Sequence, residues 1–337
     1  LLQQGRSSEL PPVVPFRNFV AQAVLGRDEA AEEVFFRDML GDIEETTAPF
    51  GLLDVQGDGS TVEEIRHPLP ADLSASIRQV ARAQGVSAAS VFHLAWAMVL
   101  SATSGQRSPV FGTVLFGRMG GVAGADDAMG MFINTLPVRI DVGRETAGEA
   151  LRRTHARLTA LLRHEHASLA RAQRCCGVPA SAPLFTAMLN YRYISQTGAD
   201  AVQAWEGMTV LGGQERSNYP FDVSVDDAGE GFVLDVQVDR QIGAGRIAGY
   251  LQQALAQLVD AAVSARAQPL GSLSVLTAEE MQKLAMLGQG ANSADGVKAA
   301  VDADDADGLH AFAFRRFEAH AAERPNAVAL VFEGQAL

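Results

Sequence analysis

The chain has 337 residues, of which 47% are hydrophobic and 20% charged, so it can bury a core and is not expected to be disordered. Its net charge of -13 argues against nucleic-acid binding, because an acidic surface repels the phosphate backbone. No apolar stretch approaches the roughly 20 residues that a membrane span needs, so no membrane partner is expected.

Two helices are predicted after a polar, Pro-rich N-terminal connector. The first begins at Phe16. The second has acidic residues in its first turn and ends near Gly41. Its apolar face is expected to contain Val34, Phe35 and Leu40.

A strand and two more helices follow in the sequence. Weak alternation in VEEIRHPLP predicts the strand, and an amphipathic helix then stops at Gly85. Ser87 caps the next helix, ASVFHLAWAMVLSATSG, which is apolar enough to be buried on almost every side. His93 within it is expected to be a hydrogen-bonded core histidine and not a catalytic base.

The centre of the chain reads as strand, loop, strand. SPVFGTVLFGR ends at Arg118, residues 119–130 are small and Gly-rich, and GMFINTLPVRIDV follows. Loops of this length are more often functional or disordered than plain connections. Arg118 is expected to hold this loop or to pair with an acid; a solvated surface arginine is the alternative.

Asn134 and Thr135 are polar residues inside the apolar run of the second strand. Neighbours in a regular strand point to opposite faces, so the two side chains cannot share one role. Their chemistry alone favours a simple interpretation, in which both satisfy backbone groups at a strand end or bulge.

The second half of the chain predicts a long helical stretch broken near Ala167 and Ser168, then further strands and a closing helix. The strands are PLFTAMLNYRY (183–193), GMTVLGG, YPFDVSVDD and GFVLDVQVD, and the last two form a hairpin. Asp226 and Asp227 are interpreted as a turn pair, not as a catalytic dyad.

Metal binding and thiol chemistry are not expected. His164 and His166 stand two residues apart, about 200° around a helix, so they cannot chelate one ion. The two cysteines, Cys175 and Cys176, are adjacent and form no disulfide framework. We therefore interpret them as structural residues of a protein in a reducing, cytoplasmic setting.

The segment 110–140, with GMFINTLPVR at its end, resembles condensation domains of non-ribosomal peptide synthetases. PFRNFVAQ, RHEHASLARAQ, PLFTAMLNYRY and the late hairpin fall in the order of the family's other motifs. In RHEHASLARAQ only His164 and the helical setting match. FEAHAAERPNAVALVFEGQAL, near the C-terminus, is similar to the first residues of an adenylation domain.

The resemblance implies an α/β fold, the chloramphenicol-acetyltransferase-like two-layer sandwich. It further implies the C-terminal lobe of a V-shaped, two-lobe condensation domain with a tunnel between the lobes. The implied organisation is an N-terminal lobe end or connector (1–22), the C-terminal lobe (23–275), a linker (276–307) and the truncated start of an adenylation domain (308–337).

The implied reaction is amide formation between a donor acyl or peptidyl thioester and an acceptor aminoacyl thioester. Both substrates are held on phosphopantetheine arms, so no cofactor or metal is expected to bind the chain directly. The implied partners are donor and acceptor peptidyl carrier proteins, and, in cis, an N-terminal lobe and an adenylation domain. The resemblance implies the following tunnel- or substrate-lining residues: Arg118, Gly130, Phe132, Asn134, Thr135, Asn190 and Tyr219.

The family's catalytic motif, His-His-x-x-x-Asp-Gly, does not occur in this sequence, where no two histidines are adjacent. No catalytic residue is therefore assigned, and the chain alone is expected to be inactive. An epimerisation or dual epimerising-condensing domain, a stand-alone acyltransferase of the same superfamily and a non-catalytic carrier-docking domain are the open alternatives.

Overall fold

The computed structural model of the chain describes residues 5, 13–53, 61–118, 128–194, 217–264, 268–288, 321–325, 331–332 and 335–336. The chain divides into two compact units, Leu1–Thr277 and Ala278–Leu337. The predicted strand GMTVLGG (207–213) lies outside the described residues.

The first unit is a six-stranded mixed sheet with helices against it. Its helices are α1 (Phe16–Leu25), α2 (Glu29–Leu40), α3 (Ala71–Gln84), α4 (Ala88–Ser104), α5 (Ala147–Leu162), α6 (Leu169–Gln173) and α7 (Ala244–Val263). Its strands are β1 (Val62–Pro68), β2 (Val110–Leu115), β3 (Asn134–Arg139), β4 (Ala187–Tyr193), β5 (Phe221–Asp227) and β6 (Phe232–Asp239). Each of these strands lies within a segment that the sequence predicts to be a strand.

The strand order is β1-β6-β5-β4-β2-β3. β4 pairs in parallel with both β2 and β5, and the other pairs are antiparallel. The mixed sheet therefore has β5 and β4 at its centre, flanked by β6 and β1 on one side and by β2 and β3 on the other.

The helix boundaries follow from local capping, which the sequence predicts at Ser87 and Gly85. The Asp28 carboxylate accepts hydrogen bonds from two backbone N–H groups at the start of α2, and the Ser87 hydroxyl accepts one at the start of α4. Thr146 and Glu149 form a reciprocal capping box at the start of α5. α3 ends at Gly85, whose φ of 66° a residue with a Cβ rarely adopts.

The buried face of α2 differs from the prediction. Phe36, Met39 and Leu40 are buried, whereas Val34 is 70% exposed. The spacing of 36, 39 and 40 defines one helical stripe, and Val34 stands about 200° away from Phe36 around the helix. Placing Val34 on the buried face was therefore wrong.

One face of the sheet carries the hydrophobic core. Alternate residues of β5 and β6, such as Val223 and Val236, point into it and are fully buried. α4 crosses this core, packs on α5 and α7, and is buried along most of its length, as predicted. The second face therefore carries the intervening, mostly polar residues of the same strands.

Two details of the strands differ from the predictions. β3 begins at Asn134, so Met131–Ile133 precede the strand. Asp226 and Asp227 are the last residues of β5 and are 4% and 6% exposed, so interpreting them as a turn pair was wrong. Their charges are compensated by arginines from β1, β4 and α3.

The second unit contains α8 (Ala278–Gly288) and a short antiparallel pair, β7 (Val331–Phe332) with β8 (Gln335–Ala336). Over the described part of the chain, no single helix is long and apolar enough to cross a membrane. α3 and α4 meet that criterion only when taken together, and they are bent by 107° relative to each other.

Candidate functional site

The polar face of the sheet contains a groove of about 350 Å³ over β2, β4, β5 and β6. Three of the residues predicted to line a substrate channel are part of its wall: Thr135, Asn190 and Tyr219. The strand register explains why, since Thr135 pairs with Val114, and Asn190 pairs with Ser224. Side chains at paired positions share one face of a sheet, so these residues converge.

An ion-pair network lies along the same face. Arg192 Nε donates to Asp226 at 2.8 Å, and Arg66 lies 3.3 Å from the same carboxylate. A second guanidinium nitrogen of Arg192 is 4.0 Å from Asp235. Because Asp226 is almost fully buried, removing one arginine would leave a poorly compensated charge. The network therefore fixes the side chains at one end of the groove.

Tyr219 closes another part of the groove wall. Its ring stacks on Phe185 with centroids 5.7 Å apart and an interplanar angle of 15°. Burial raises the pKa of Tyr219, and the nearby charge of Asp222 raises it further. The phenol therefore stays protonated at neutral pH and can donate a hydrogen bond into the groove.

Asn134 lies on the opposite, helix-facing side of the sheet. Its Nδ2 donates to the carbonyl oxygens of Glu165 and Ala167, both at 2.8 Å. The backbone N–H of Thr135 donates to Asn134 Oδ1 at 3.0 Å. The prediction that Asn134 faces a channel is thus corrected: it holds the turn after α5, and its strand neighbour Thr135 takes the groove position.

Replacing Asn134 by Ala should destabilise the fold by about 2–3 kcal/mol, because two carbonyls of a buried turn lose their donor. Thr135→Val is the matched control, on the same strand but on the groove side. It should change the free energy of unfolding by less than about 1 kcal/mol. Urea unfolding followed by tryptophan fluorescence measures both, and equal effects would contradict the assignment.

Phe132 lies in a small aromatic cluster with Phe16 and Phe19 of α1, outside the groove wall. The Phe19 and Phe132 ring centroids are 4.3 Å apart, and those of Phe16 and Phe132 are 5.0 Å apart. Gly130 packs so closely on the Phe16 ring that a Cβ at this position would overlap it. The cluster therefore attaches α1 to the chain just before β3.

Arg118 belongs to the same region. Its guanidinium lies 3.9 Å from the centroid of the Phe132 ring, and Nη2 donates to the carbonyl oxygen of Ala128 at 3.2 Å. Arg118 and Ala128 flank residues 119–127, so this contact joins the two ends of that segment. The structure therefore places Arg118, Gly130 and Phe132 together in this aromatic cluster and not among the residues that line the groove, so their predicted place in the lining is corrected.

Sequence reasoning missed several groove residues on the late hairpin: Asp222, Ser224, Asp235 and Gln237. A signal was present, because these polar residues alternate with apolar ones in FDVSVDD and FVLDVQVD. Alternation identifies a polar face but does not show whether that face meets solvent or a groove.

Two of the described histidines, His93 and His164, occupy structural positions. His93 is 4% exposed, and its Nδ1 and Nε2 are hydrogen-bonded to Ala89 O at 2.7 Å and Thr113 Oγ1 at 2.8 Å. This confirms the prediction of a core histidine. His164 stacks on Phe35 at 4.5 Å, and burial lowers its pKa. Among the described residues, no group of three or more His, Cys, Asp or Glu side chains is arranged to hold a metal.

Comparison with solved structures identifies the class of fold. The X-domain from teicoplanin biosynthesis superposes with a TM-score of 0.64 and 17% identity, over 81% of this chain and 65% of that one. The first condensation domain of the CDA synthetase gives a TM-score of 0.57 at 18% identity, over 82% of this chain and 61% of that one. The α/β architecture is thus that of condensation domains.

Sequence comparison identifies the family. The condensation-domain profile matches residues 1–285, and the chain belongs to the condensation-domain family of non-ribosomal peptide synthetases, which act in secondary metabolite biosynthesis. It is 44% identical to malpibaldin synthetase of Mortierella alpina and 42% identical to malpinin synthetase of the same fungus. These alignments include 99% and 100% of this chain but only 6% and 4% of the relatives.

Proposed function

We propose that this chain forms one wall of the channel in which a condensation domain makes an amide bond. The acceptor aminoacyl thioester supplies the amine, and the donor acyl or peptidyl thioester supplies the carbonyl. The polar groove on the second face of the sheet carries this proposal. Family membership supports it, as does the similarity to two named peptide synthetases.

The groove residues have the chemistry to position an arm that contains amide groups. A thioester is already activated, so much of the barrier is lowered by holding two reactants in register. In the proposal, the hydroxyls of Thr135 and Tyr219 and the carboxamide of Asn190 hydrogen-bond the phosphopantetheine arms. No proton transfer is assigned to a residue of this chain.

A second lobe is proposed to cover this face as the N-terminal lobe of the domain, which makes the present unit the C-terminal lobe. The support is four exposed apolar side chains in the segments just before and just after residues 119–127, one of which, Ile133, lines the groove. Phe116, Met129, Met131 and Ile133 are 61%, 91%, 84% and 60% exposed. Large apolar side chains grouped at a surface favour burial against a partner.

Further partners follow from the same proposal. Donor and acceptor carrier proteins deliver the two arms, and residues 308–337 begin an adenylation domain joined through the linker 276–307. The last assignment rests on the sequence resemblance of the C-terminal segment.

The free cysteines Cys175 and Cys176 support a cytoplasmic location for the reaction. Burial raises the pKa of the Cys175 thiol, which reduces its reactivity.

The test is an amide-forming assay with the synthetase that contains this chain and with loaded donor and acceptor carrier proteins. Asn190→Leu should lower kcat/KM for condensation about tenfold, because it removes a hydrogen-bonding group from the groove. Glu64→Gln is the control, since Glu64 is an exposed residue of the edge strand β1 outside the groove.

The outcomes separate the alternatives. Unchanged condensation by Asn190→Leu would contradict a substrate-lining groove. A product whose donor residue has the inverted configuration would assign dual epimerising-condensing activity. If the carrier proteins bind but no amide product forms, carrier docking would be the remaining function.

A further inference from the structure

A second cavity lies at the end of the sheet where β2 begins and β3 ends. Its volume is about 330 Å³, and it shares no lining residue with the polar groove. Three segments surround it: the C-terminal end of α4 with the loop to β2, the loop between β3 and α5, and the turn at 269–272. It is therefore a separate site on the first unit of the chain.

Backbone hydrogen bonds hold these three segments together. The Val142 N–H donates to the carbonyl oxygen of Arg107 at 2.7 Å, and the Gly271 N–H donates to that of Gly143 at 2.9 Å. Leu270 is fully buried and anchors the third segment. The fold itself therefore fixes the walls of the cavity.

The cavity is lined by two arginines, Arg107 and Arg144, and by no carboxylate of the described residues. Within the part of the chain that the structure describes, neither guanidinium forms a hydrogen bond or an ion pair. Both side chains are exposed, so a ligand can reach them. The lining therefore offers two uncompensated positive charges on a chain whose net charge is -13.

The acidic residues close to Arg144 in the sequence are already paired. Asp141 and Glu145 both contact the guanidinium of Arg153, at 3.4 and 2.5 Å. Asp141 also pairs with Arg139 at 3.0 Å. Arginines outside the cavity therefore compensate these carboxylates, and Arg144 keeps its charge for a ligand.

Acidic residues also line an adjoining groove that shares Arg107 with the cavity: Asp42, Glu44 and Glu45. Asp42 pairs with Arg139. Neither glutamate forms an ion pair with Arg107 within the described residues. These carboxylates weaken the positive potential at Arg107 without cancelling it, because water and salt screen separated surface charges.

We propose that this cavity binds a phosphate monoester, with its phosphate between the guanidinium groups of Arg107 and Arg144. A guanidinium presents parallel N–H donors that match two phosphate oxygens, and two arginines match the nearly double negative charge of a monoester at neutral pH. The hydroxyl of Ser101, also in the lining, can donate a further hydrogen bond.

The size of the cavity fits a ligand larger than phosphate alone. Its volume of about 330 Å³ falls at the lower end of the roughly 300–1,000 Å³ that is usual for small-molecule sites, which leaves room for the organic part of the ester. The inference goes beyond the proposed function and does not depend on it, because the two sites share no lining residue.

The experiment titrates methyl phosphate, dimethyl phosphate and acetate into the ¹⁵N-labelled chain at constant ionic strength. The amide signals of residues 142–144 and 270–272 report binding. Methyl phosphate should bind about fivefold more tightly than either of the other two, which carry a single negative charge. Its affinity should rise between pH 5 and pH 7, because its second proton is lost near a pKa of about 6 while the arginines stay charged.

Variants locate the effect. Arg107→Gln and Arg144→Gln should each weaken the binding of methyl phosphate about fivefold, and the double variant should abolish it. Arg240→Gln is the matched control, because it removes an exposed arginine that has no partner among the described residues and lies outside the cavity. It should leave the affinity unchanged. If a cavity variant does not fold, the comparison of the three ligands on the unmodified chain decides.

Each contrary outcome is specific. Equal losses in Arg240→Gln and the cavity variants would show a general attraction of anions and would overturn the site. Equal or tighter binding of dimethyl phosphate would show that the site favours a phosphodiester, such as the one that joins pantetheine to a carrier protein, and would overturn the monoester assignment. An absence of shifts at residues 142–144 and 270–272 with methyl phosphate would exclude the site altogether.

Discussion

Lowering the pH from about 6.5 to about 4 should cost the fold about 3 kcal/mol through His93 alone. Burial lowers the pKa of His93 from 6.5 to about 4, and its backbone hydrogen bond to Ala89 offsets this only in part. The unfolded chain therefore binds a proton in this range that the folded chain excludes. Stability is fully present above pH 6.5 and falls as the pH approaches 4.

The measurement is urea unfolding at several pH values between 7 and 4, for the unmodified chain and for His93→Gln. Carboxylates that titrate in the same range occur in both proteins, so their contributions cancel in the difference. The variant should be less stable at pH 7 but should lose less stability on acidification. Parallel curves would show that His93 does not exclude the proton.

Gly117→Ala should destabilise the fold by about 4 kcal/mol. Gly117 has a φ of +72°, and a Cβ at this position would overlap the carbonyl oxygen of Phe132. Two costs therefore add: the left-handed backbone and the displacement of a chain segment held by the aromatic cluster. Denaturant unfolding gives the difference directly.

Gly229→Ala is the control for the backbone cost alone. Gly229 has a φ of +86°, and a Cβ there would have no neighbour within 4 Å. The expected loss is about 1 kcal/mol. If the two variants lost the same amount of stability, the close approach of Phe132 to Gly117 would be disproved.

The order and type of the elements could be predicted from the sequence, because the signals are local. Helix ends at Gly41 and Gly85 and the cap at Ser87 depend on residues within one turn. The β5–β6 hairpin depends on alternation around a short turn. The ordered motifs identified the condensation-domain family, which the family comparison confirms.

The candidate site was predictable only in part. Thr135, Asn190 and Tyr219 line the groove, and their motifs marked the region. Asp222 and Asp235 were missed, because a polar face of a strand has the same sequence pattern whether it meets solvent or a groove.

The sequence by itself determined the secondary structure, the buried central helix and the family, since each depends on periodicity, caps or motif order. The tertiary structure decided which polar residue faces where. Asn134 and Thr135 are adjacent and chemically similar, and only the strand register shows that one holds a turn and the other lines the groove. Asp226 is buried only because arginines from β1 and β4 meet it there. Such contacts join residues far apart in the chain, and no local pattern encodes them.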